Sequence, residues 1–440
     1  MSSLNKSAYR QNVRAVTHAG TAVRAIPAEK QLVRMTLANM LWENQFYVDG
    51  KASADVIADL VKQCDAKFVS NVAILARTQF KLRHVPLLLT RELARTSRLA
   101  AHVLNAVIQR PDEMSEFLSI YWKEGKTPLS NQVKKGLATA FAKFNEYSLA
   151  KWDKNSAAVK MRDVMFLVHP KPASPEQAAL FKRVASNELA TPDTWETELS
   201  AGADKRATFT RLMAEKKLGA LAFLRNLRNM VQSGVSDTAI RGYAQTLDVS
   251  KVLPFRYIAA ARIVPQFENM LEAMMLRSLE SHEKLPGVTK LYVDVSGSMF
   301  GSKISGKSDL ERFDAAAALA VLCREICEHV EIYSFSDRAV RVAPRRGFAL
   351  VEAIRESQSH NGTQLGSALN STGSPCDRVI VFTDEQSYDR PGKPMFGAKG
   401  YIINVAAYQN GVNHEDWLTV SGFSEAVIDY IQAVEKDVTF

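Results

Sequence analysis

Up to about residue 285, apolar side chains recur every third or fourth position, the spacing that lines one face of a helix. Val133, Leu137, Phe141 and Phe144 form such a stripe, with Lys134, Lys135 and Lys143 off it. The same spacing predicts helices over 31–42, 54–64, 68–80, 85–109, 156–167, 176–187, 207–233 and 267–281. The helix over 156–167 should stop at His169, because Pro170 disfavours the helical conformation in the residue before it. Strand-like alternation is nearly absent. Short helices joined by short polar loops are compatible with an irregular helical solenoid, although no fixed-period repeat is visible.

Residues 281–287 (Ser-His-Glu-Lys-Leu-Pro-Gly) read as a linker, and after it the pattern changes. Apolar, β-branched runs predict strands over 291–295, 330–334, 339–342, 378–382 and 400–406, alternating with helices over 309–329, 348–357 and 424–435. That alternation implies a parallel sheet with helices on both faces. Ligands of such sheets bind beyond the carboxyl ends of the strands, so the loops after the first and fourth strands are the first candidates for chemistry.

The length of 440 residues exceeds what one core usually organises and favours two domains, taken here as 1–285 and 286–440. A hydrophobic fraction of 46% and a charged fraction of 23% exclude a largely disordered chain. Four cysteines, Cys64, Cys323, Cys327 and Cys376, are too few for a disulfide framework and suit a reducing compartment. No targeting segment or membrane span is apparent, so a cytoplasmic protein without a membrane partner is expected. Residues 1–290 carry 42 Lys and Arg against 27 Asp and Glu, a balance of +15, and the remainder carries 14 against 20, a balance of −6. A basic part of this size points to nucleic acid or another anionic surface.

Chemistry concentrates in the second part. Asp294-Val-Ser296-Gly-Ser298 brings three oxygen donors onto one tight loop after the first strand. Thr363, in His-Asn-Gly-Thr-Gln, adds a hydroxyl from a second loop, and Asp384 a carboxylate at the end of the fourth strand. Two carboxylates, hydroxyls and water suit a hard divalent cation, Mg²⁺ above all and Mn²⁺ as an alternative. With so few anionic ligands the ion stays electrophilic and can accept an acidic group from a partner. This D-x-S-x-S…T…D pattern resembles the metal-ion-dependent adhesion site of von Willebrand factor type A domains.

A second motif overlaps it. Gly301 to Ser308 matches the phosphate loop G-x-x-x-x-G-K-[ST], with Lys307 as its lysine, but it starts too far from the strand end to wrap its amides around phosphates. Neither a zinc-protease H-E-x-x-H nor a G-x-S-x-G nucleophile elbow occurs, and no enzyme activity is expected.

The helical part has an identifying stretch of its own. Residues 127–141 (Thr-Pro-Leu-Ser-Asn-Gln-Val-Lys-Lys-Gly-Leu-Ala-Thr-Ala-Phe), 144–152, 159–172, 218–230 and 253–257 together strongly resemble the TROVE module of the Ro autoantigen family. That family couples the module to a C-terminal von Willebrand type A domain, the order inferred above. The resemblance implies a multidomain fold: an all-α ring of HEAT-like helices followed by an α/β doubly wound A domain. It also implies a ribonucleoprotein scaffold that binds Y-type noncoding RNAs on its outer surface and takes single-stranded ends of misfolded RNAs through its hole. Exoribonuclease partners and a role in RNA quality control belong to the same implication, and a monomer is expected. The family's RNA-contact residues map onto Lys151, Lys154 and His169, with Asn155 able to replace Lys154. Two other readings remain: a metal-dependent protein-adhesion module with a helical spacer, and a P-loop ATPase using Gly301 to Ser308.

Overall fold

The computed structural model describes residues 15–16, 22–23, 27–37, 50–153, 157–250, 252–280, 282–303, 310–384, 387–406, 416–421 and 426–436. After a two-residue antiparallel pair, β1 (Ala15–Val16) with β2 (Ala22–Val23), the described chain is helical as far as residue 279. The first helices are α1 (Ala28–Leu37), α2 (Gly50–Val61), α3 (Ala66–Thr78), α4 (His84–Thr96), α5 (Ala100–Val107) and α6 (Asp112–Tyr121). They continue with α7 (Asn131–Phe141), α8 (Glu146–Trp152), α9 (Met161–Val168), α10 (Pro175–Ser186) and α11 (Trp195–Ser200). The last before the sheet are α12 (Lys205–Ala214), α13 (Ala220–Gln232), α14 (Asp237–Thr246), α15 (Pro254–Ile263) and α16 (Glu268–Leu279).

Two long expected helices are each two. After α4 the backbone of Ser97 turns extended and its Oγ accepts the Leu99 N–H at 3.2 Å, a local turn that competes with helix. After α12, Lys216 takes a left-handed φ of 54° and the Lys217 N–H returns to the Leu212 carbonyl at 2.8 Å. Periodicity runs across both breaks because the flanking helices bury residues at compatible spacing. The helix expected from 156 starts only at Met161, where the Lys160 N–H is capped by the Asp163 carboxylate. It ends as expected at His169, though by a left-handed cap (φ 48°).

From Leu285 the chain builds a six-stranded sheet in the order β5-β4-β3-β6-β7-β8. The strands are β3 (Leu285–Asp294), β4 (Cys327–Phe335), β5 (Ala339–Arg341), β6 (Arg378–Thr383), β7 (Lys399–Asn404) and β8 (Trp417–Ser421). Helices α17 (Arg312–Ile326), α18 (Gly347–Arg355), α19 (Leu365–Ser371) and α20 (Ala426–Glu435) alternate with them. Three expectations need correction. The presumed linker is partly strand, since β3 begins at Leu285. The sheet is mixed, because β5 pairs with β4 in antiparallel fashion as a short edge strand. Strand β8 and helix α19 are additional elements, each too short to leave a clear pattern. Every residue of β6 is buried, as expected of a central parallel strand covered on both faces.

The described residues form two compact units, one mainly 51–203 and the other mainly 204–432. The second therefore holds α12–α16 together with the sheet, although the secondary structure changes character at Leu285. Helix α17 explains this. All but two of its residues are buried, and it packs on the sheet as well as on α15, α16 and α18. A helix that is apolar all round needs cover on every side. Its run of alanines, Ala315 to Ala318 and Ala320, keeps it thin enough for that.

In the first unit, buried Glu113 accepts the Arg77 guanidinium of α3 at 2.5 Å and the amides of Gln109 and Arg110 at 2.8 and 3.0 Å. This carboxylate ties the start of α6 to α3. Gly136 lets α7 approach α5: a Cβ there would lie 2.8 Å from the Leu104 Cβ and 2.9 Å from the Ala101 carbonyl oxygen.

Candidate metal centre and nucleic-acid interface

Topology alone brings two carboxylates together. The chain leaves β3 towards β4 on one side, while β6 lies on the other, so the strand order reverses between β3 and β6. Val293 of β3 is in register with Phe382 of β6. Asp294 therefore ends β3 beside Thr383, and Asp384 follows directly. Such a reversal opens a crevice at the carboxyl ends of the strands.

Asp294 is fully buried. Its Oδ1 accepts the Ser296 N–H at 2.9 Å and its Oδ2 the Thr383 hydroxyl at 2.6 Å, which aims the carboxylate into the loop. Ser296 and Ser298 hydroxyls lie 3.2 Å apart. Thr363 is buried, and the residues just before it on its loop are stitched to the first loop. The Gly297 N–H donates to the Asn361 carbonyl at 3.0 Å and the His360 Nδ1 to the Val295 carbonyl at 2.9 Å. Ser336 holds the far side, accepting the Asn361 N–H at 2.9 Å and donating to the Gly362 carbonyl at 3.0 Å.

Asp384 is fully buried, and its Oδ2 accepts from the Arg312 guanidinium at 2.7 Å. Its Oδ1, by contrast, is buried without a hydrogen-bond partner among the described residues. Burial, and then the like charge of Asp384, hold the Asp294 carboxyl well above the usual range. An orphaned carboxylate oxygen, a second carboxylate under like-charge repulsion and clustered hydroxyls form a donor set that fits a hard cation. Among the described residues no trio of His, Cys, Asp and Glu gathers, so softer metals have no comparable set.

Sequence reasoning missed Arg312 and Thr383. A lone cation opening an apolar helix was the available signal for Arg312. Its partner lies 72 residues away.

Of the phosphate-loop motif, only Gly301 to Lys303 are described. Residues 304–309, Lys307 among them, lie outside the described residues. On the described side, the Gly301 N–H donates to the Glu311 carboxylate at 3.1 Å, and Lys303 bridges to Glu311. Helix α17 starts only at Arg312. The Gly301 amide is thus committed to a carboxylate rather than free for a phosphate, and the helix begins after the motif.

Of the residues expected to contact RNA, Lys154 and its alternate Asn155 lie outside the described residues. Lys151 is exposed in the last turn of α8, its ammonium 5.6 Å from the Tyr147 ring centre and 5.9 Å from that of Trp152. His169 is exposed at the carboxyl end of α9. Both belong to the first unit.

Residues 182–293 match the TROVE domain family model. The fold is similar to the crystal structure of the Ro protein (RSR) of Deinococcus radiodurans, with a TM-score of 0.65 and 19% identity. That likeness covers 93% of this chain and 100% of the other. A segment of the chain thus matches the TROVE domain model, and the fold is similar to that of the Deinococcus radiodurans Ro protein.

Proposed function

We propose that the chain is an RNA-binding, Ro-type ribonucleoprotein scaffold without catalytic activity of its own. The observation that carries this reading is the TROVE match over 182–293, together with a balance of +15 over residues 1–290. Phosphate neutralisation by Lys and Arg supplies affinity without base sequence, and structured RNA is read largely through shape and backbone. The RNA class is Y-type or other structured noncoding RNA, and misfolded RNA with a single-stranded end, consistent with a role in RNA quality control. Lys151, Lys154 and His169 are the contact residues. An exoribonuclease or another protein is the partner of the sheet-bearing part.

In that part Asp294, Ser296, Ser298, Thr363 and Asp384 hold Mg²⁺, or Mn²⁺ in its place, as in a von Willebrand type A domain. The bound ion would supply a Lewis-acidic position for an acidic group of the partner. The protein's share is orientation: Thr383 and the Ser296 amide fix Asp294, and Arg312 fixes one oxygen of Asp384.

Cross-linking in the source cell followed by sequencing of the bound RNA tests the main reading. Structured noncoding RNA should dominate the recovered pool. Absence of co-purifying, nuclease-sensitive 260 nm absorbance would favour the protein-adhesion reading. ATP hydrolysis by the pure protein, lost in Lys307→Ala, would favour the ATPase.

A further inference from the structure

Away from the metal-site loops, the first unit has a cavity of about 480 Å³ that, among the described residues, neither the metal donors nor Lys151 and His169 line. This is within the roughly 300–1,000 Å³ typical of small-ligand sites. Two aromatic rings, Trp122 and Phe166, face it, with Pro128 as a further apolar wall. Phe166 is 50% exposed because α9 already buries Met161, Val164, Met165 and Val168 on its opposite stripe. The core therefore does not account for this phenylalanine. Trp122 is held in place by its indole N–H, which donates to the Thr127 carbonyl at 2.8 Å.

Each ring has its own cation. Lys126, which lines the cavity, lies 5.7 Å from the Trp122 ring centre, and Arg162 lies 5.5 Å from that of Phe166. Both cations are exposed, so a base can take the ring face while the cation moves to the adjoining phosphate. The one acidic group among the described lining residues, Asp163, uses one oxygen to cap the Lys160 N–H and disfavours a phosphate inside. Apolar faces within and cations at the rim match a nucleotide that inserts its base and leaves its phosphate outside.

We propose that this cavity is a stacking subsite for an unpaired nucleobase of single-stranded RNA, formed by Trp122 and Phe166 with Lys126 and Arg162 at the rim. The proposal rests on the RNA-binding reading and deepens it. Base–aromatic stacking is sequence-tolerant, because every base has a π face. The subsite would therefore hold a loose strand of any sequence.

The test uses the full chain and two probes, a decameric oligoadenylate and an abasic strand of equal length. Oligoadenylate should quench tryptophan fluorescence, and Trp122→Phe should remove that quenching from among the five tryptophans while keeping most of the affinity. Phe166→Ala, at an exposed position that leaves the fold intact in a thermal melt, should weaken oligoadenylate binding about tenfold, as for the loss of one stacked base. The slope of log K against log salt should stay unchanged, because stacking releases no counterions.

Equal quenching by the abasic strand or by an acidic peptide of the same charge would overturn the subsite. So would wild-type affinity in folded Phe166→Ala while structured RNA still binds, and that result leaves the RNA-binding reading standing. A chain that binds no RNA at all overturns both.

Discussion

Replacing Arg262 by Ala probes the link between the last helices before the sheet and the sheet itself. The Arg262 guanidinium on α15 grips Asp314 on α17 with two nitrogens, the Nη1 bond to Oδ2 measuring 2.7 Å. Asp314 is only 1% exposed, and it also accepts the Glu311 N–H at 2.7 Å and the Arg355 guanidinium at 3.3 Å. Breaking a fully buried pair costs about 3–5 kcal/mol, because a charge is left without compensation. Two features lower that figure. Arg262 is 39% exposed, so solvent screens its share, and Arg355 still faces the carboxylate. A loss of about 1–2 kcal/mol follows. For a unit of this size that lowers the midpoint by about 2–8 °C.

Thermal unfolding of the full chain, followed by circular dichroism, reads this directly. A double-mutant cycle with Asp314→Asn isolates the pair, since removal of both partners should cost less than the two single losses added together. A midpoint unchanged in Arg262→Ala, or strict additivity in the cycle, would refute the account of α15 and α17 as one packed body.

Asp294→Ala should abolish Mg²⁺ and Mn²⁺ binding measured by calorimetry, yet leave RNA affinity nearly intact; collapse of RNA binding in a folded variant would contradict the division of labour. Lys151→Ala combined with Lys154→Ala should flatten the slope of log K against log salt by about 1.4, and lower affinity alike for structured RNAs of unrelated sequence. Gly136→Ala gains helix propensity of about 1 kcal/mol but overpacks against Leu104 and Ala101 at a cost of about 1–3 kcal/mol. Urea melts should show it to be less stable, and a more stable variant would mean that the two helices separate freely. Burial, and then the charge of Arg83, push the His84 imidazole down to about 4 from 6.5. As pH falls the unfolded chain binds this proton first, so stability present above pH 6.5 is lost between 6.5 and 4. His84→Gln should flatten that part of the acid slope in a denaturation series.

Local pattern alone determined much of this protein. The helical stripe on α7, the apolar run of β6 and the oxygen-rich loop after β3 are each written in a few consecutive residues, so composition and period reveal them. A strand that ends in Asp294 and another that ends before Asp384 were legible for the same reason. The alternation of strands and helices gave the α/β class, though not the antiparallel edge strand. Short elements were not legible: β5 has three residues, too few for a period to tell parallel from antiparallel pairing, and β8 and α19 are little longer.

Tertiary structure decided whatever depends on residues far apart in the chain. Arg312 meets Asp384, and Arg262 meets Asp314, only because packing converts separations of 72 and 52 residues into contact. Packing also decided which apolar residues enter the core. Phe166 follows an apolar pattern as well as Met165 does, yet α9 turns one inward and the other to the surface. An amphipathic helix such as α9 buries one face, and the direction of that face is set by its neighbours.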